Sequence, residues 1–206
     1  MASQIKRPAL KAVVIGVSAG GFKALHRILP MFRRDFELPV MVVQHRRADL
    51  ESYLVESLND RCQMSVKEPL DKTKIESGTI YIAPGGYHLL VEKDIADGCL
   101  YFALSVDPPV CYCRPSIDVL FESAAEVFGP SLLGVILTGA NFDGSNGIKK
   151  IKSLGGITIA ENPETAEVDY MPSYAIRTNA VDHIMNLDEI PCFIETIMKR
   201  VDGESE

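Results

Sequence analysis

The segment Gly16-Val17-Ser18-Ala19-Gly20 satisfies the pattern G-x-S-x-G, in which small residues let the chain turn sharply at a strand end and leave a serine hydroxyl clear of the sheet. Such a hydroxyl attacks a carbonyl only if a base takes its proton, and the base needs a carboxylate to fix its tautomer and stabilise its charged form. Of the four histidines, His45 directly follows the stretch 40–44, which reads as a buried strand, and is the candidate base. Asp143 lies in Leu137-Thr138-Gly139-Ala140-Asn141-Phe142-Asp143-Gly144, again after an apolar run, and is the candidate carboxylate. Together these groups describe acyl transfer through a covalent serine ester. The backbone amides of Ala19 and Ala140 are the candidates for holding the oxyanion.

Other readings of the same residues compete. A glycine-rich turn between strand and helix also suits a phosphate or nucleotide, with Ser18 only capping the helix. Against this, neither G-x-G-x-x-G nor G-x-x-x-x-G-K-[ST] occurs in register, and Lys23 is the one nearby base. Asp143, taken alone, reads as a helix cap. His26 falls on the helix after Ser18, His88 in a hairpin and His183 in a late strand, places where histidines pack rather than react. The order Ser, His, Asp differs from that of the α/β-hydrolases, so the serine pattern does not carry that fold.

Residues so far apart in sequence meet only if the runs before them are neighbouring parallel strands, at whose carboxyl ends ligands and catalytic groups gather. The runs 12–16, 40–44, 79–83, 132–137 and 157–160 read as buried strands, with an edge strand at 181–185. Helical spacing covers 21–29, 50–58, 116–127, 144–154, 172–178 and 187–201. Ser116 after Pro115 is a plausible N-cap, and Gly129-Pro130 ends that helix. The alternation predicts an α/β fold, a doubly wound, mostly parallel, Rossmann-like sheet with helices on both faces. The runs 88–91 and 100–104 around Asp97-Gly98 predict an antiparallel hairpin, and the middle of the chain from 79 reads as antiparallel. The tail 202–206 is expected to fray, and residues 1–206 read as one domain without repeats or linkers.

Composition narrows the function classes. A formal charge of −7 with scattered basic residues argues against nucleic acid as a partner. The apolar run after Lys11 is too short and too rich in glycine for a signal segment or a membrane span, which argues against membrane insertion. Five cysteines at odd spacing make a poor disulfide framework and fit a reducing cytoplasm. Cys111-Tyr112-Cys113 lacks the partner pair that structural zinc needs and reads as free thiols, so no metal is expected.

The landmarks IGVSAGG from Ile15, VVQHR from Val42, GTIYIAPGGYHL from Gly78, RPSIDVLF from Arg114, LTGANFDG from Leu137 and MPSYAIRTNAVD from Met171 stand in order along nearly the whole chain. In them the sequence resembles the methylesterase and glutamine-deamidase domain of bacterial chemotaxis response regulators, the CheB family. The resemblance implies hydrolysis of glutamate γ-methyl esters on chemoreceptor signalling helices, with methanol released, and deamidation of glutamine at the same sites. It places Ser18, His45 and Asp143 in the catalytic roles, calls for no cofactor, and sets Arg114 beside the site as a substrate-binding residue. Family members usually carry an N-terminal receiver domain, whereas this sequence begins shortly before the first strand. The expectation is a stand-alone esterase, with an excised catalytic fragment as the alternative, and a separate receiver or methyltransferase protein as a further partner. Departures from the family are Ala140-Asn141-Phe142, where glycine is usual, and Arg46-Arg47, where an apolar residue and proline are usual. Asn141 is expected to take the left-handed conformation that glycine would. Phe142 and the arginine pair motivate the alternative of a signalling or scaffold module that kept the fold without turnover.

Overall fold

In the computed structural model, which describes residues 8–46 and 53–202, the apolar run after Lys11 forms strand β1 (Ala12–Val17), buried at every position. Helix α1 (Gly21–Ile28) returns the chain to β2 (Val40–Gln44), which pairs with β1 in parallel. Helix α2 (Leu54–Asn59) and the short β3 (Ser65–Lys67) lead to β4 (Thr79–Ile82). β5 (His88–Lys93) and β6 (Leu100–Ser105) form an antiparallel hairpin. Then follow α3 (Ile117–Phe128), β7 (Leu132–Ile136), α4 (Ser145–Ser153), β8 (Ile157–Glu161), α5 (Tyr170–Arg177), β9 (His183–Met185) and α6 (Glu189–Asp202).

The main sheet has seven strands in the order β3-β4-β2-β1-β7-β8-β9, and the hairpin is a separate two-stranded sheet. The architecture is the doubly wound α/β fold expected from the alternation of runs. One expectation is corrected: β4 pairs in parallel with both β2 and β3, and antiparallel pairing in the middle of the chain is found in the hairpin and in the bridge from Lys74 to Tyr101. β3 was not anticipated, because in three residues only Val66 is buried and no alternation develops. Residues 50–52 of the expected second helix, Arg47 and the tail beyond Asp202 lie outside the described residues.

Period-two alternation along the buried strands sends side chains to two cores. Val13, Ile15 and Val17 join Leu25, Ile28, Leu58, Ile190 and Ile194 from α1, α2 and α6. Ala12 and Val14 face Ile117, Leu120, Phe121, Ile148 and Met171 from α3, α4 and α5, and the hairpin's Leu89 and Phe102 close that side. Each fully buried aliphatic side chain contributes about 1.5–3 kcal/mol by leaving water, which makes the central strand rigid enough to aim the loops at its end. β1 runs between β2 and β7, and the chain builds outward in opposite directions from it. The carboxyl end of β1 is therefore the switch point at which such sheets open a crevice.

Candidate active site

Ser18 follows β1 directly, with its amide donating to Thr138 O at 3.0 Å and its carbonyl accepting from Gly21 N at 2.9 Å. Gly20, with φ 80, supplies the left-handed step that starts α1. Gly20 and not Ser18 has the positive φ, so the serine is presented without the strained backbone that G-x-S-x-G implies elsewhere. The loop after β7 presses on the serine from the other side. A Cβ built on Gly139 would lie 2.9 Å from Ser18 Cβ and 2.7 Å from Met171 Cε, so this approach is open to glycine alone. Thr138 ties the loops together, donating through Oγ1 to Ala19 O at 2.9 Å while its amide donates to the buried Glu161 carboxylate at 2.8 Å. Burial pushes the Glu161 carboxyl upward against that hydrogen bond.

His45 leaves β2 with its amide bonded to Val17 O at 3.1 Å, which sets its ring over the serine. Nδ1 lies 3.1 Å from Ser18 Oγ, and Nε2 lies 2.8 Å from Asp143 Oδ2. A carboxylate at Nε2 makes that nitrogen the donor, which leaves the Nδ1 lone pair for the serine proton. The ring thus presents Nδ1 to the serine hydroxyl, the reverse of the usual serine-hydrolase arrangement. Cys113 Sγ also lies 3.3 Å from Nδ1. Burial works against a charged imidazole, but the hydrogen bonds and charges of Asp143 and Cys113 outweigh it and push the imidazolium up to about 9.

Asp143 is fully buried under the start of α3. Oδ1 accepts from Ser116 Oγ at 2.9 Å, Asp118 N at 3.0 Å and Gly144 N at 3.0 Å, while Oδ2 accepts from Ile117 N at 2.7 Å as well as from His45. Burial would raise this carboxyl, but the His45 bond and the amides of Asp118 and Ile117 hold it below the ordinary carboxylate range. The cap reading of Asp143 thus has a counterpart, though on the N-terminus of α3 as well as beside α4. The neighbouring Asp118 accepts from Gly147 N at 2.7 Å and is pushed up to about 6, by burial first and by the Asp143 charge in addition.

The remaining sequence candidates fall in different places. Among the described residues the amides of Ala19 and Ala140 have no hydrogen-bond acceptor, and they flank Ser18 on the β1 and β7 loops. Arg114 donates through Nη1 to Val106 O at 2.7 Å and Asp107 O at 3.0 Å, holding the strap before α3 rather than forming an ion pair. Arg46 turns away to Glu68 and to Ala83 O. Lys23 is paired with Glu167 at 2.8 Å, which removes the one cation offered for a phosphate. His26 bonds Ser57 Oγ, His88 accepts from Ser116 N, and His183 packs on Phe193, so none of the three joins Ser18. Asn141 is corrected: its backbone is not left-handed, and Gly144 with φ 94 is the loop's left-handed residue. Asn141 acts through its side chain, Oδ1 capping Phe142 N at 2.6 Å and Nδ2 donating to Cys111 O at 2.9 Å and Cys113 Sγ at 3.3 Å.

Sequence reasoning missed Ser116, Thr138 and Glu161 as supports, and missed Cys113 as a neighbour of the base. The RPSID run signalled the first as a cap without showing which carboxylate it would meet. Cys111, Asp118 and Asp143 bring a sulfur and two carboxylates within 4.8 Å of one another. The carboxylate oxygens there already accept protein hydrogen bonds, which a cation would have to break.

Compared with known proteins, residues 13–194 match the family model described as CheB methylesterase. A protein of Leptospira interrogans, provisionally named protein-glutamate methylesterase/protein-glutamine glutaminase, is 46% identical over 180 residues, covering 87% of this chain and 91% of that one. The protein-glutamate methylesterase/protein-glutamine glutaminase of Clostridium acetobutylicum is 37% identical over 201 residues, 98% of this chain but 56% of that protein. The crystal structure of the Thermotoga maritima CheB methylesterase catalytic domain superposes with a TM-score of 0.87 at 34% identity, covering 94% of this chain and all of that one.

Proposed function

The chain belongs to the CheB methylesterase family, and from that premise we propose that it acts as a single catalytic domain hydrolysing glutamate γ-methyl esters on the cytoplasmic helices of methyl-accepting chemoreceptors. One observation carries the reading: Ser18 Oγ, His45 and Asp143 form a continuous hydrogen-bonded line at 3.1 and 2.8 Å where β1, β2 and β7 end.

In the proposed reaction Nδ1 of His45 takes the Ser18 proton as Oγ attacks the ester carbonyl. Asp143 accepts from Nε2 and balances the imidazolium that forms. The unpaired amides of Ala19 and Ala140 receive the oxyanion. Methanol leaves with the proton from Nδ1, and water, deprotonated by the same nitrogen, frees Ser18 and leaves a glutamate. With a glutamine side chain the identical steps release ammonia, so deamidation needs no further group. Arg114 is assigned to the carboxylates flanking the ester on the receptor helix. No step calls for a cofactor.

No helix among the described residues is long and apolar enough to cross a membrane. With free cysteines and an acidic balance, this supports placing the protein in the cytoplasm, where a separate receiver or methyltransferase protein would be its partner. The test is methanol release from methylated chemoreceptor membranes. Release by the wild type and its loss in Ser18→Ala is expected. Equal release from both overturns the role of Ser18, and none from either overturns the proposal and favours a scaffold module.

A further inference from the structure

The base faces two acidic hydrogens. Cys113 Sγ and Ser18 Oγ lie 3.3 and 3.1 Å from the same His45 Nδ1, which has one lone pair. Asn141 Nδ2 donates to Cys113 Sγ at 3.3 Å and fixes the sulfur from the other side. The thiol is held there by a tight turn: Val110 and Cys113 exchange backbone hydrogen bonds at 3.1 and 2.8 Å. Between them Cys111 and Tyr112 take φ of 49 and 64, a left-handed conformation that residues with a Cβ rarely adopt. The contact also registers on the base, since Cys113 contributes to the upward displacement of the imidazolium. Cys111 is different: burial, with the charges of Asp143 and Asp118, pushes its thiol up to about 11.

We propose that Cys113 is a modification site for hydroperoxides, activated by the same imidazole nitrogen that faces Ser18. In the fraction of molecules whose ring is neutral, which grows as pH rises toward 9, the thiol proton passes to Nδ1, and the thiolate attacks the distal oxygen of hydrogen peroxide. The S–O bond forms as the O–O bond breaks, and the departing hydroxide takes the proton back from Nδ1 as water. Sulfur is oxidised by two electrons to the sulfenic acid and peroxide is reduced to water. A sulfenic acid on this sulfur occupies the space before Nδ1 and denies the nitrogen to Ser18. That second consequence rests on the esterase reading, whereas the reactivity of the thiol does not.

The test begins without any ester. The native protein, free of reductant at neutral pH, is exposed to limiting iodoacetamide, and each cysteine's labelling is followed by peptide mass spectrometry. Cys113 is expected to label about tenfold faster than Cys111 and Cys62, and no slower than the exposed Cys192. Ser18→Ala, which removes the competing hydroxyl with little disturbance, is expected to speed Cys113 severalfold, and His45→Gln to slow it about tenfold. Hydrogen peroxide with dimedone should then tag Cys113. The same peroxide should abolish methanol release by the wild type while leaving Cys113→Ser at its own untreated rate. Labelling of Cys113 that ignores both Ser18→Ala and His45→Gln, or a dimedone tag on another cysteine, overturns the proposal. Because labelling needs no substrate, a protein that fails to release methanol yet labels at Cys113 refutes the esterase reading and leaves the reactive thiol standing.

Discussion

Replacing Asp143 by Asn should injure stability and turnover together, because the carboxylate serves the base and α3 at once. Asn can keep a carbonyl oxygen where Oδ1 accepts from Ser116 Oγ, Asp118 N and Gly144 N. Its NH2 then falls where Oδ2 accepts from His45 Nε2 and Ile117 N, opposing donors with a donor. The ring can meet that NH2 by shifting its proton off Nε2, but Ile117 N–H is left unpaired, and a buried donor without a partner costs about 1–3 kcal/mol, out of the roughly 5–15 kcal/mol that holds a domain folded. With no acceptor at Nε2, the ring moves its proton to Nδ1 and cannot take one from Ser18, a change that costs about 10⁴ in kcat in comparable triads. Urea unfolding and methanol release, run on the wild type, Ser18→Ala and Asp143→Asn, separate the effects: Ser18→Ala should lose turnover with its unfolding midpoint nearly unchanged. An Asp143→Asn protein as stable as the wild type, or within tenfold of its rate, would refute the double role.

With the imidazolium pushed up to about 9, kcat/KM should climb about tenfold per pH unit from 7 and level above about 9; a flat profile over that range contradicts the proton inventory of His45. The same displacement, from 6.5 to about 9, makes the folded state favour the protonated ring. Its contribution, on the order of 3 kcal/mol, is complete below pH 6.5 and disappears as pH rises through 9, a decline that urea midpoints should show in the wild type and not in His45→Gln. Gly139→Ala places a methyl 2.9 Å from Ser18 Cβ and 2.8 Å from Met171 Sδ; it should cost about 1–3 kcal/mol and lower kcat more than it changes KM. Glu161→Ala strands Thr138 N, which donates to it at 2.8 Å; a loss of about 1–3 kcal/mol is expected, with Glu161→Gln restoring most of it.

The fold was legible because the buried strands announce themselves. Val40 to Val43 and Leu132 to Ile136 are continuous apolar runs, and the loops past them had to lie at one sheet edge. From that rule alone Ser18, His45 and Asp143 could be grouped, though not which ring nitrogen would face the serine. That depends on the His45 rotamer, which the bond from Nε2 to Asp143 Oδ2 holds. Cys113 was illegible for a related reason. Its position depends on Cys111 and Tyr112 adopting left-handed φ, a conformation that sequence rules assign to glycine and asparagine. Asn141 was misjudged by the same rule, since it uses its amide group and leaves the backbone freedom to Gly144. Nor could spacing show that Asp143 sits beneath α3, because contact between two loops so distant in sequence leaves no periodic trace.

The central place of β1 governs the order in which the site comes into being. β2 follows it closely in the chain and brings His45 to Ser18, but Leu132 meets Ala12 only after the hairpin and α3 have been made. Pairings between segments so distant in sequence form late and slowly. A refolding protein should therefore regain secondary structure before it regains esterase activity, whose return should coincide with the closing of β7 on β1. During synthesis Ser18 and His45 emerge early, and the proposed triad is complete only once Asp143 has cleared the ribosome.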